Sequence, residues 1–236
     1  MGAVPALPAL LAALPLITVG PYGPSVHVTQ QIGTSAGGRA IMATESGAPQ
    51  APRRVLVVGC IHGNECAGVA VIRRLRRVRP PRMFDMWLVP TLNPDGRAAD
   101  TRQNGHGVDL NRNFSAGWTA HGVPWSTYYS GPRPFSEPET RAARRLIERV
   151  RPTLSVWYHQ HERLVWAWGR STAAARRYAH MVGLRLFLNP NPGGTASRWQ
   201  NHHFSHGSSF AVELPAGPMT PAAVARHVNA ILTLVL

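Results

Sequence analysis

The sequence predicts an α/β fold, an open and largely parallel mixed sheet with helices on both faces. Short apolar runs of strand length alternate with segments of helical periodicity. A chain of 236 residues with 44% hydrophobic content can bury one sizeable core, and no internal repeat or long low-complexity linker divides it. The third observation is a long polar stretch, Thr91 to Phe135, rich in Gly, Asn and Pro. Inside a compact α/β domain, a loop of that length is usually functional.

The elements follow in order. Residues 1–25 form an apolar segment of signal-peptide length; it lacks a basic start and carries Pro5, Pro8 and Pro15, so it reads as a degenerate signal. Residues 26–236 read as a single domain. Ile32 to Gly47 reads as a hairpin around a Gly-rich turn. RVLVVGC is a β-rich run of the kind found in central, doubly covered strands. Glu65 to Val78 has helical spacing, with Val69, Ile72, Leu75 and Val78 on one side. Met83 to Pro90 is the next strand. Ser136-x-x-Glu139 has the form of a capping box and predicts a helix start there. TLSVWYHQ is a further strand, TAAARRYAHMVGL a helix and SSFAVELP a short strand. A final amphipathic helix is capped by Thr220.

The formal charge is +14, and all 25 basic residues are arginine. Composition bias is one reading of this; the other is attraction to anionic partners, whether acidic peptides, cell-wall polymers or nucleic acid. The arginines are not interleaved with aromatics, so nucleic acid is not an expected partner. No stretch after the N-terminal segment reaches the roughly 18 apolar residues of a membrane span. Cys60 and Cys66 either pair in an oxidising compartment or are both buried thiols, and the usual burial of cysteine favours thiols.

His62 and Glu65 directly follow the strand RVLVVGC. Where a chain turns from strand into helix, H-x-x-E lets an imidazole and a carboxylate converge on one ion, and zinc accepts both ligand types. By itself the pair is weak. Downstream come TLNPDGR and then TRQNGHGVDLNRNF. Together these pieces resemble the zinc metallocarboxypeptidases of the M14 type, with the carboxypeptidase A fold, and in particular their small bacterial murein-peptide-amidase-like branch. The resemblance spans roughly Ile32 to Gly217.

What the resemblance implies is carried over residue by residue. His62 and Glu65 match the first two ligands of one zinc ion. His159 and His161 are both candidates for the third, and His159, which ends the apolar run, is preferred. Glu213 matches the general base and Arg102 the arginine that polarises the scissile carbonyl. Asn111 and Arg112 match the clamp on a terminal carboxylate, while Asp109 and Asn113 are expected to hold their loop together. GGTASRW resembles the segment that shapes the terminal side-chain pocket, which puts Ser197 and Arg198 beside it and gives Arg198 a preference for an acidic side chain. No tyrosine follows Tyr178, so the mobile tyrosine of larger members has no counterpart, and the shorter chain implies a more open cleft.

His202, His203 and His206 read as polar residues of a loop at the substrate mouth, and Trp157, Trp166 and Trp168 as core. The expected activity is hydrolysis of a peptide bond beside a free C-terminal carboxylate, in peptides that include cell-wall-derived ones. A monomer in a secreted or cell-envelope setting is expected. Two alternatives stay open: an N-acyl amino acid deacylase of the aspartoacylase or succinylglutamate desuccinylase type, and a catalytically inactive peptide-binding module.

Overall fold

The computed structural model describes residues 23–234; most of the apolar N-terminal segment, up to residue 22, lies outside the described residues. The chain first forms a hairpin of β1 (Val26–Thr34) and β2 (Ala40–Gly47), longer at its start than the sequence suggested. β3 (Arg53–Val58) buries all four residues of its Val-Leu-Val-Val run. Then come α1 (Val69–Leu75), β4 (Phe84–Val89), the short α2 (Pro94–Ala99) and α3 (Pro138–Val150). β5 (Leu154–Gln160), β6 (Leu164–Ala167), α4 (Thr172–Val182), β7 (Arg185–Leu188), α5 (Ala196–His203), β8 (Ser208–Leu214) and α6 (Pro221–Leu234) complete it.

All eight strands share one sheet in the order β1-β2-β4-β3-β5-β8-β6-β7. The central strands β4, β3, β5 and β8 are parallel, flanked by antiparallel β2 on one side and β6 on the other. Side chains alternate across the pleat. Val55, Val57, Val156 and Phe210 therefore pack with α1, α4 and α6, whereas Leu56, Val58 and Trp157 face α3 and α5. Each such fully buried aliphatic side chain contributes roughly 1.5–3 kcal/mol relative to exposure. The mixed sheet covered on both faces is the predicted fold class.

Several boundaries differ from the sequence reading, each for a local reason. α1 starts four residues later than predicted because Glu65 to Gly68 are drawn into a turn, with Glu65 N donating to His62 O (3.1 Å). Ser136 does not cap α3. Pro138 fixes the first helical position, Glu137 is the extended residue before it, and Glu139 accepts from Ala36 N (2.8 Å) instead of reaching back. β6, β7 and α5 went unread; the two strands have only four residues each, too few for a period to show. His202 and His203 thus lie in the last turn of α5 rather than in a loop. Thr220 does cap α6, accepting from Ala223 N (3.2 Å).

One buried group works against the fold at neutral pH. Asp85 on β4 is 3% exposed, accepts from Trp87 Nε1 through Oδ2 (3.0 Å), and has no partner for Oδ1 among the described residues. Burial, with Glu45 nearby, pushes its carboxyl up to about 6 against the Trp87 hydrogen bond. A carboxyl raised in the folded state contributes stability in full below its unfolded value and loses it as pH rises through about 6. Asp85→Asn should therefore match the wild type near pH 4 and melt higher above pH 6, by about 3 kcal/mol of stability at most. Melting curves of both proteins across this range test it; a difference that does not change with pH would refute the assignment.

Candidate metal centre and catalytic cleft

The chemistry-bearing residues gather at the C-terminal ends of the parallel strands, where open α/β sheets place their sites. His62 and Glu65 follow β3, and His159 and Glu213 lie in β5 and β8 as directly paired residues of the parallel ladder. That register puts His159 and Glu213 side by side on one face of the sheet. His161 lies past the end of β5 and is 71% exposed at its side chain, so of the two candidate histidines it is His159 that joins the group.

Three atoms converge. His62 Nδ1 lies 2.8 Å from Glu65 Oε2, and His159 Nδ1 lies 3.2 Å from each of them. Ligand atoms about 2.0–2.1 Å from a tetrahedral zinc are about 3.3 Å apart, so the spacing fits. The donor set fits as well. His62 Nε2 lies 2.9 Å from Asp109 Oδ1, a contact that holds the proton on Nε2 and turns the Nδ1 lone pair inward. The carboxylates are ionised. Burial raises Glu65, but His62 and His159 outweigh it and hold it well below the usual range. Asp109, fully buried, is held low in the same way by His62, Arg102 and Arg112. His62, Glu65 and His159 together can hold a metal ion.

The local backbone explains the motif residues. A Cβ on Gly63 would sit 1.9 Å from the carbonyl carbon of Gly96, so the HGNE turn and the NPDG turn touch through bare backbone. Asn93 caps α2 by accepting from Gly96 N (2.8 Å) and ties down the next loop through Nδ2 and Gln103 O (3.1 Å). Asn113 holds the long loop, donating to Ser130 O (2.8 Å) and accepting from Thr140 Oγ1 (2.8 Å). Cys60 and Cys66 are joined in a disulfide across the strand-to-helix turn. Of the two alternatives the sequence leaves open, with thiols favoured by burial, the structure has the pair: the turn that presents His62 and Glu65 folds back and brings the two Cα atoms to 4.7 Å.

A cleft of about 190 Å³ holds the triad together with Arg102, Asn111, Arg112, Ser197 and Glu213. Arg102 donates from Nη1 to Glu65 (2.6 Å) and from Nε to Asp109 (3.0 Å). Arg112 Nη1 donates to Asn111 O (2.7 Å), and Asn111 Oδ1 accepts from Ala196 N (3.0 Å), which joins this loop to the start of α5. Glu213 presents Oε2, buried and without a hydrogen-bond partner among the described residues. An orphaned buried carboxylate oxygen in a polar cleft marks a functional position.

The structure separates two predicted neighbours. Ser197 lines this cleft, but Arg198 lines an adjacent cavity, because successive residues on a helix point about 100° apart. Two of the tryptophans are also moved out of the core: Trp166 lines the cleft and Trp168 is 52% exposed.

Two participants escaped the sequence. Asp109 was read only as a loop residue, and does accept from Asn111 N (2.9 Å), yet it also orients His62 and Arg102. Tyr128 stands at the cleft with its ring 5.5 Å from the Arg102 guanidinium and 5.0 Å from that of Arg112. The only signal for it was its place in the long polar loop.

Replacing Asp109 by Asn should weaken metal binding about 10- to 100-fold, the usual cost of losing a carboxylate behind a ligand histidine. Chelator competition measures this, and unchanged affinity in a folded variant would refute the orienting role.

Comparison with known proteins agrees with this geometry. The chain is 35% identical over 124 residues to murein peptide amidase A of Escherichia coli K12, covering 48% of this chain and 51% of that protein. It thus spans about half the length of the curated relatives it first matches. Among solved structures, murein-tripeptide amidase from Escherichia coli O157 superposes with a TM-score of 0.70 at 26% identity, over 91% of this chain and 94% of the other. Carboxypeptidase A from Helicoverpa armigera shares the fold, with a TM-score of 0.77 at 18% identity over 89% and 68% of the two chains. The profile of the zinc carboxypeptidase family, Peptidase M14, matches residues 22–209, and the chain belongs to that family of hydrolases.

Proposed function

We propose that the protein is a zinc-dependent peptidase that hydrolyses an amide bond beside a free C-terminal carboxylate in peptidoglycan-derived peptides. The carrying observation is that the His62, Glu65 and His159 donors, the partnerless Glu213 Oε2 and two arginines all open into one cleft. Similarity to murein peptide amidases supports the substrate class.

Zinc, held by His62, Glu65 and His159, would supply Lewis acidity toward water and the scissile carbonyl. The chain's own residues do the rest. Glu213 takes the proton of the attacking water and delivers it to the departing amine, a role for which an unengaged carboxylate is suited. Arg102 brings fixed positive charge to the carbonyl oxygen as it gains negative charge. Arg112, with one Nη1 contact spent on Asn111 O, retains donors for a substrate carboxylate, and Asn111 lies beside it.

Replacing Glu213 with Gln should lower turnover roughly 10²–10⁴-fold and leave zinc content unchanged. The test combines mass spectrometry of products from murein peptides with metal analysis of both proteins. Retained turnover in the variant would refute the mechanism. Release of acetate or succinate from N-acyl amino acids, with peptides left intact, would replace the peptidase reading by the deacylase one.

A further inference from the structure

The end of the sheet opposite the catalytic cleft is strongly cationic. Between Glu65 and Asp85 the chain carries no acid and six arginines, Arg73, Arg74, Arg76, Arg77, Arg79 and Arg82, all exposed. The last four line a cavity of about 630 Å³ together with His27 and Ser46 of the first hairpin. We propose that this face docks on a lipid bilayer bearing anionic headgroups, with the uncharged N-terminal segment as the second point of attachment.

The topology fixes where the patch lies. β1 starts there and β2 ends there, with Val26 paired to Gly47 and Gly47 to Asp85 near the start of β4. The arginines run from the last turn of α1 through its connection to β4. These are the N-terminal ends of the parallel strands. The metal donors sit at the opposite ends, about 20 Å away along a strand such as β3. A molecule resting on the arginine face would therefore hold its cleft toward the water.

The charge is not spent within the protein. Arg73, Arg74, Arg76, Arg77 and Arg79 enter no ion pair among the described residues. A second cavity at the same end, of about 380 Å³, adds Arg54, Arg151, His203 and His206. No carboxylate lines either cavity. Asp85 is near in the ladder, but its carboxyl turns to Trp87 on the α3 face of the sheet, while α1 packs on the other. Like charges so crowded repel one another, and an anionic surface turns that repulsion into attraction. Guanidinium forks match the phosphates of lipid headgroups.

The segment that arrives at this patch favours a membrane over a soluble polyanion. Residues 1–22 hold no charged side chain and include the run ALLAAL before Pro15. The described chain begins at Gly23, and Ser25 and Val26 already line the arginine-bearing cavity. An apolar segment beside a basic patch supplies two signals, where one alone gives only marginal attachment to a bilayer. A nucleic acid or wall polymer would engage the arginines and leave the apolar segment without a role.

The test is flotation of the full chain with two vesicles, one of phosphatidylcholine alone and one with about 30% phosphatidylglycerol, at about 0.1 M salt. The anionic vesicle should bind about 100-fold more tightly or better, since each arginine near such a surface is worth about fivefold. Arg77→Gln with Arg79→Gln should cut that preference about 25-fold. Leu11→Asp, in the apolar segment, should weaken binding to the anionic vesicle about 10-fold. The preference compares two surfaces on one protein, so a general loss of stability does not imitate it. Equal binding to both vesicles, or a preference undiminished by the arginine changes, would overturn the proposal. So would unchanged binding by the Leu11→Asp chain. Displacement from the anionic vesicle by duplex DNA or inorganic polyphosphate at equal phosphate would overturn it in favour of a soluble polyanion. None of these readouts depends on hydrolysis, so the peptidase reading stands or falls separately.

Discussion

The site is organised around one buried carboxylate. Asp109 has no exposed surface, and its two oxygens meet the His62 ring, the Arg102 side chain and the Asn111 backbone. Removing a carboxylate from water is costly unless it is paired and hydrogen-bonded. The chain meets that cost by bringing three segments to one point: the turn after β3, the loop after α2, and the short turn holding Asn111 and Arg112. His62, Arg102 and the backbone of Asn111 are therefore set relative to one another by a shared acceptor.

The sheet supplies the second frame of reference. Parallel β3, β5 and β8 end on the same side, so His62, Glu65, His159 and Glu213 meet although far apart in the chain. The disulfide between Cys60 and Cys66 and the backbone contact of Gly63 with Gly96 leave the ligand-bearing turn little freedom. A strand end and a braced turn thus carry the three donors, while the longer loops carry Arg102, Asn111, Arg112 and Tyr128.

Much of this was legible in the sequence, unevenly and for physical reasons. Long apolar runs such as RVLVVGC and FDMWLV could be read because burial on both faces demands continuous hydrophobicity. The motifs HGNE, NPDG and GVDLNRNF could be read because their order along the chain resembles that of a known family. β6 and β7 could not, since four residues at a sheet margin carry too little pattern. The preference for His159 over His161 was legible in the end of an apolar run, whereas the separation of Ser197 from Arg198 needed a helix that its polar residues concealed. Asp109 was recognised in half its role, because its partner His62 lies 47 positions away and only the folded chain brings them together.

The pairing of His159 with Glu213 across β5 and β8 has an evolutionary consequence. Because their relative position is written into hydrogen bonds between strands, a deletion of one residue within either strand would turn its group to the opposite side of the sheet. Such lesions are all-or-none, with no graded intermediates for selection to explore. The stretches around Tyr128 and Asn191 are loops outside any strand register, tied at single points such as Tyr129 O to Asp109 N and Gly194 O to Phe114 N, and change between those points leaves the register untouched. Divergence among descendants of this chain should therefore collect in those loops, with the register that pairs His159 and Glu213 inherited whole.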